Sequence, residues 1–441
     1  MKWLRPADVR SAGHTAEILG GSLLSLALRV FAVALTFVFN VLVARRFGAE
    51  GAGLYGLAIT VITMSMTLAL FGLDHASVKF VAAAQSVRAF WRVERLSVNA
   101  VLIVLALSTA SAVAVYFSRT TLASEVFSEP GLKNLLAIMS IAIVPLALAR
   151  LAAACLRAVK RLFAALMAES VLVPLMGTLI LLAATDQTIE IAGIAHVSAS
   201  IAAAIFGLSL WWRFVRRHHM PSPADNNERL AGDLARAGVP MMGIALADIS
   251  SRWIVIYMIG ILGEASDVGI FRVSLQIATL LGFLVIANNS IVAPKIAALY
   301  GAGNVAAIGQ IWRFSVGLIL ALGIPASVLF MVFPTFLLSL FGPEFAAAQT
   351  TLQILVLGQL VNLATGPVGM ILIMTGRERV SLANSAASAL VVLVLSFMLL
   401  PNYGVDGAAA ALAIGLGLRN IIAAYLVWRL VVAGIVVRGA T

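Results

Sequence analysis

The stretch Leu19-Gly-Gly-Ser-Leu-Leu-Ser-Leu-Ala-Leu-Arg-Val-Phe-Ala-Val-Ala-Leu-Thr-Phe-Val-Phe-Asn-Val-Leu-Val43 decides the fold. A helix needs about 20 predominantly apolar residues to cross the hydrocarbon core of a bilayer. A cleavable signal peptide has an apolar core of only about 7–15 residues, so this longer run reads as an uncleaved first membrane helix. Its one charge, Arg29, falls near the middle, where it costs about 2.5–3.5 kcal/mol on insertion scales. Ser22, Ser25, Arg29, Thr36 and Asn40 recur at helical spacing and share one face. Such a face either bonds neighbouring helices through its hydroxyls or lines a watery passage. Arg29 favours the passage, because a buried guanidinium needs an anion or water.

The rest of the chain repeats this texture. Of its 441 residues, 62% are hydrophobic and 11% charged, with a mean hydropathy of +1.05; soluble domains run nearer 45–50% apolar and about 25% charged. The expected architecture is an all-α polytopic membrane protein. About twelve apolar segments are predicted, near 19–43, 54–73, 98–118, 134–157, 164–184 and 191–214, then 238–262, 270–293, 314–338, 351–375, 381–400 and 408–430. The polar, basic break at 215–237 divides them into an N-terminal six-helix bundle (1–214), a cytoplasmic linker and a C-terminal six-helix bundle (238–441).

Lysine and arginine set the orientation. With a cytoplasmic N-terminus, 21 of the 30 basic residues fall in inner segments and 4 in outer loops. Both termini are therefore expected in the cytoplasm, and the net charge of +11 is a topology signal rather than a nucleic-acid footprint. The single cysteine, Cys155, excludes an intrachain disulfide, and the five histidines show no metal-ligand spacing. There is no phosphate loop, nucleophile elbow or acidic pair on a loop, and the outer loops are short, so no enzyme and no cofactor is expected. The segment Val87–Arg95, basic and aromatic, reads as a short helix at headgroup level.

The two halves echo each other. Arg46-Phe-Gly-Ala-Glu-Gly-Ala-Gly-Leu-Tyr-Gly-Leu-Ala58 after the first segment corresponds to Leu262-Gly-Glu-Ala-Ser-Asp-Val-Gly-Ile-Phe-Arg-Val-Ser274 after the seventh. Three further echoes follow in the same order: Ala76–Ala82 with Val292–Ala298, Arg157–Arg161 with Thr375–Arg379, and Trp211-Trp-Arg213 with Val427-Trp-Arg429. An even number of crossings per half implies a pseudo-two-fold axis along the membrane normal, with a site between the halves.

Intramembrane charges nominate that site. Asp248 and Arg252 lie four apart on one helical face; they form either a self-neutralising ion pair or a titrating group that couples transport to a proton or sodium gradient. Arg419, followed by Asn420, is central in its segment, while Arg272 and Gln276 share a face with Thr279 and Ser290. Arg272 and Arg150 sit nearer segment ends, where snorkelling to the interface is an equal reading. Glu169 is placed to face the cytoplasmic vestibule, and the polar sets Ser381, Asn384, Ser385, Ser388 and Gln359, Asn362 mark later segments. Pro145, Pro174, Pro240, Pro325 and Gly366-Pro367 are expected to kink or hinge their helices.

The run Val43–Ala58, followed by Phe71-Gly-Leu-Asp-His-Ala-Ser-Val-Lys-Phe-Val81, resembles the start of the polysaccharide transporter family. Its members are the O-antigen and exopolysaccharide repeat-unit flippases of the multidrug/oligosaccharidyl-lipid/polysaccharide (MOP) superfamily. Val268-Gly-Ile-Phe271, Leu340-Phe-Gly-Pro-Glu-Phe345 and Tyr403-Gly-Val-Asp-Gly-Ala-Ala409 are similar to its second half. The resemblance implies a V-shaped pair of bundles in a bacterial inner membrane. It implies alternating access that carries an anionic, polyprenyl-diphosphate-linked oligosaccharide between leaflets, with membrane lipid and a polysaccharide polymerase or assembly complex as partners. In related flippases, arginines in helices 1, 2 and 8 are thought to hold the diphosphate. Arg29 and Arg272 match two of these, whereas the second segment here has no arginine, only Arg45 and Arg46 before it. The alternatives are a cation-coupled multidrug exporter of the same superfamily, a membrane enzyme of polysaccharide assembly, or a transport-inactive scaffold.

Overall fold

The computed structural model describes residues 11–86, 88–185, 187–220 and 230–433; the side chains of 11–26, of Ser86, of several positions in 230–249, of Ser290 and Pro294 and of 432–433 lie outside the described set. Among the described residues the fold is all helix. In chain order the helices are α1 (Ser11–Leu70), α2 (Leu73–Ser86), α3 (Phe90–Thr121), α4 (Leu132–Ser140), α5 (Ile143–Ala158), α6 (Leu162–Leu166), α7 (Leu172–Ala183) and α8 (Glu190–Arg217). The second half holds α9 (Leu230–Leu262), α10 (Ala265–Gly301), α11 (Val305–Val332), α12 (Pro334–Ser339), α13 (Gln349–Thr365), α14 (Val368–Met374) and α15 (Glu378–Val427).

Length and apolarity qualify seven helices as membrane spans, or nine when each of two bent pairs is counted as one, fewer than the twelve segments expected. The difference has a structural origin. Helix α1, 60 residues long, is two limbs joined at Gly48, whose φ of 71° is left-handed; α15, 50 residues long, breaks in the same way at Gly404, φ 54°. A straight 60-residue helix would be about 90 Å long, three times the hydrocarbon thickness, so the glycine has to turn the chain back.

Prolines act unevenly. Pro145 follows the 44° bend between α4 and α5, and Gly366-Pro367 sits in the 44° bend between α13 and α14, whereas Pro325 lies inside an unbroken α11. Phe90–Arg95 is the opening of the 32-residue α3 and not a separate surface helix. The chain reverses just before it, where Arg88 takes a positive φ of 55°. Within the polar break, α8 continues to Arg217 and α9 is described from Leu230.

The outer faces are those of a membrane protein. Phe117 and Phe314 are 76% and 73% exposed, in company with Leu182, Phe336 and Phe397; apolar patches of this extent belong against lipid. The inner faces join into one continuous core that runs through both halves, from Leu57, Ile62 and Phe127 to Phe271, Phe341 and Leu352.

The halves meet where the sequence echo is strongest. A β-carbon on Gly53 would run into the carbonyl of Ala265, and one on Gly269 would run into the carbonyl of Ala49. In the echo, Ala49 corresponds to Ala265 and Gly53 to Gly269. The contact is therefore reciprocal, the isologous signature of a two-fold axis. Small residues let backbones come this close without the loss of side-chain volume being felt elsewhere. Around the seam, Glu129 Oε1 accepts from Ala265 N at 2.6 Å, Arg45 Nε donates to Leu340 O at 2.7 Å, and Phe127 stacks on Tyr257 with centroids 5.6 Å apart. Arg46 reaches the carbonyls of Leu181 and Ala184, at 2.5 and 2.7 Å, and so caps the C-terminal end of α7. This end of the molecule, carrying Gly48, is closed.

Replacing Gly53 by Leu should hold the halves apart at this end. In a Cys155→Ala background, a cysteine at Asn40 should then react with a bulky, membrane-impermeant thiol reagent from the Gly48 side, where the parent does not; unchanged labelling would locate the closure elsewhere.

Candidate functional site

Two cavities of about 520 Å³ each flank α10. The first lies against the N-terminal half and includes Arg29, Asn40, Tyr55, Arg150, Glu169, His196 and Arg272 in its lining. The second lies against the C-terminal half and includes Arg252, Thr279, Asn289, Gln359, Asn362, Arg419 and Asn420. Ile286 borders both. Along α10, Leu275, Thr279, Gly282 and Asn289 line the second cavity, while Arg272 and Phe283 line the first.

The arginines nominated from the sequence are thereby sorted. Arg29 and Arg272 share the first cavity, Arg252 and Arg419 the second. Gln276 lies in neither; with Asn40, Tyr55 and Arg272 it lines a small cleft of about 20 Å³. The side chain of Asp248 lies outside the described residues.

Arg272 does not snorkel. It is half-buried in the seam between the halves, and its Nη1 is buried with no hydrogen-bond partner. It reaches this position over Gly56, where a β-carbon would come 2.6 Å from its Cδ. Gly56 is the residue that the echo pairs with Arg272 itself. The symmetry is thus broken near the axis, one half supplying a guanidinium and the other the space for it.

Two residues that the sequence reading passed over complete this side of the cavity. His196, 8% exposed, lines it from α8; its Nδ1 lies 2.9 Å from the Tyr55 hydroxyl, and its Nε2 is buried without a partner. With Tyr55 donating to Nδ1, Nε2–H is left as a donor for whatever occupies the cavity. A search for metal-ligand spacing could not find this histidine. Its mid-span position in an apolar run was the available signal.

The remaining charges around the first cavity are matched within the protein. Glu169, held in a π-helical turn at Met167–Val171, is ion-paired with Arg157. Arg150 does not snorkel either; its Nε lies 3.1 Å from Oδ2 of Asp74, a carboxylate in the first turn of α2 whose side chain is 6% exposed. The first cavity is left with Arg29, which makes no ion pair or hydrogen bond within the described chain, and with Arg272 and His196 as unpaired donors. Its field is cationic, and low-dielectric walls strengthen such a field.

The comparisons with known proteins follow this geometry. The family model described as "Polysaccharide biosynthesis protein" matches residues 18–299, and the MatE model matches residues 240–398. None of the curated proteins compared with the chain matches it. Among solved structures, a multidrug resistance MATE family transporter of the MOP superfamily in an inward-facing conformation is similar, with a TM-score of 0.74 at 15% identity, over 93% of this chain and 98% of that one. The lipid II flippase MurJ in an inward closed conformation is similar with a TM-score of 0.73 at 14% identity, over 92% and 87%. An outward-facing MATE structure is similar with a TM-score of 0.62 at 14% identity, over 96% of both chains.

Breaking the Asp74–Arg150 pair should be asymmetric. Arg150→Met leaves the buried carboxylate with only its His75 contacts and should cost about 3 kcal/mol; Asp74→Asn leaves a guanidinium that is one-third exposed and should cost less. Thermal unfolding of the purified variants in detergent should rank them in that order, and equal losses would show that Asp74 is not stabilised by the pair.

Proposed function

We propose, on the premise that this chain belongs to the polysaccharide biosynthesis protein family, that it is a flippase. It moves a polyprenyl-diphosphate-linked oligosaccharide from the inner to the outer leaflet of a bacterial inner membrane by alternating access. Both termini are cytoplasmic, so the closed Gly48 end is the outer end and the present conformer receives substrate from inside. A proton or sodium gradient drives the cycle, with Asp248 as the coupling group, and a polysaccharide polymerase or assembly complex takes the product.

One observation carries this reading: two guanidinium groups and an imidazole face one cavity, and the acid in that cavity is already held by Arg157. A diphosphate diester carries two negative charges, and arginine binds phosphate through a planar fork of donors. Taking that head group through hydrocarbon is the costly step in moving such a lipid, and cavity cations lower it. The sugars travel in the polar interior while the prenyl tail stays in lipid. The absent second-helix arginine is made good by Tyr55 and His196, which bring a donor to the same cavity from α1 and α8.

A multidrug exporter is the second reading, favoured by the MatE match over residues 240–398. A cavity for organic cations needs unpaired acids, and the carboxylate lining the first cavity is paired.

Arg29→Ala and Arg272→Ala should each lower affinity for polyprenyl diphosphate about tenfold or more, the loss expected for charge-assisted hydrogen bonds, and should abolish polysaccharide export at normal membrane levels. Gly56→Val should mimic Arg272→Ala although it removes no charge, because it displaces the Arg272 side chain. Retained export in Arg29→Ala cells would remove the diphosphate-holding role. Excess cationic dye should leave transport unaffected; competition would transfer the case to the exporter.

A further inference from the structure

We propose that the second cavity is the sugar subsite of the same substrate: the C-terminal half holds glycan hydroxyls while the N-terminal half holds the diphosphate. The proposal rests on the flippase reading and assigns its chemistry to two separate places.

The second cavity is built differently from the first. Its polar wall is a relay of amides. Asn420 Nδ2 donates to Asn362 Oδ1 at 3.2 Å, and Asn362 Nδ2 donates to Gln359 Oε1 at 3.2 Å. Gln359 and Asn420 are 8% and 6% exposed, yet both line the cavity. The relay leaves the Gln359 amide nitrogen as a donor at one end and Asn420 Oδ1 as an acceptor at the other, neither bonded within the described chain. Across the cavity, on α10, Asn289 Oδ1 is buried with no hydrogen-bond partner. Buried amide groups without partners are costly unless a ligand satisfies them.

The charges point the same way. Arg252 and Arg419 both line this cavity, but both are already engaged by other groups of the chain, in contrast to Arg29 and Arg272 Nη1. No acidic residue lines it among the described residues. A wall of paired amide donors and acceptors with engaged cations is poorly suited to capturing a dianion. It is well suited to vicinal hydroxyls, each of which donates once and accepts twice. Ile286 borders both cavities, so they are neighbours, and on this proposal one extended ligand reaches from one to the other past this side chain. A site that hydrogen-bonds hydroxyls rejects ligands that lack them, because its own polar groups are then left unpaired.

Gly282 gives an independent handle. A β-carbon there would come 3.3 Å from Gln359 Oε1 and 3.8 Å from Asn362 Nδ2, so a larger side chain fills the subsite and crowds the relay while every amide residue is retained.

The test is equilibrium binding to the purified full chain in nanodiscs with two probes: the lipid-linked repeat unit extracted from cells that lack this transporter, and sugar-free polyprenyl diphosphate. The wild type should bind the sugar-bearing lipid about tenfold tighter or more, as several neutral hydrogen bonds predict. Asn362→Leu and Gly282→Val should each erase that preference while keeping polyprenyl-diphosphate affinity within about twofold, so that the unchanged second probe reports an intact fold. Equal affinity of the wild type for both probes, or a preference retained in both variants, would overturn the sugar subsite and leave the diphosphate site standing. Failure of the wild type to bind either probe would instead overturn the flippase reading.

Discussion

Close approach of two backbones, Gly53 against Ala265 and Gly269 against Ala49, is the constraint on which the rest of this structure depends. It brings the two halves together at one end and fixes their register about a shared axis. It can exist only because small residues stand at equivalent positions of both halves. Every larger side chain near the seam is arranged around it: Phe127 stacks on Tyr257, and Gly260 yields room to Leu57 and Phe127. A contact made of backbone and glycine is tight but weakly bonded.

The departure from symmetry at that seam is as informative as the symmetry. Position 272 carries arginine and its counterpart, position 56, is glycine. Two guanidinium groups this close to the axis would repel each other, and two glycines would leave the axis without charge. One of each places a single cation in the seam and leaves its Nη1 without a protein partner. The division continues along α10, whose Arg272 lines one cavity while its Thr279 and Asn289 line the other. The two related halves are thus chemically unlike: the first cavity holds an arginine with a free donor, and the second an amide relay beside two engaged arginines.

Much of this was legible without coordinates. The length of the apolar runs specified membrane helices, and the echo of residues 46–58 in 262–274 implied two related halves about an axis; that these segments pack on each other came only from the structure. Other features were hidden for physical reasons. Arg150 and Arg272 stand at similar depths, and hydropathy cannot distinguish them; Arg150 finds Asp74 and Arg272 a seam. The left-handed turns at Gly48 and Gly404, where one helix runs into the next, were not marked by hydropathy. His196 was invisible to a search by metal-ligand spacing because its partner, Tyr55, is 141 residues away.

The chain alone therefore determined that it spans a membrane many times, as two related halves with arginines placed at depth. Those outcomes depend on local hydrophobicity and on short-range spacing, which a linear sequence carries in full. Which arginines keep a free donor and which are neutralised was decided only by the tertiary structure. Electrostatic fate depends on what lies within a few ångströms of a charge, and packing brings those neighbours from distant parts of the chain.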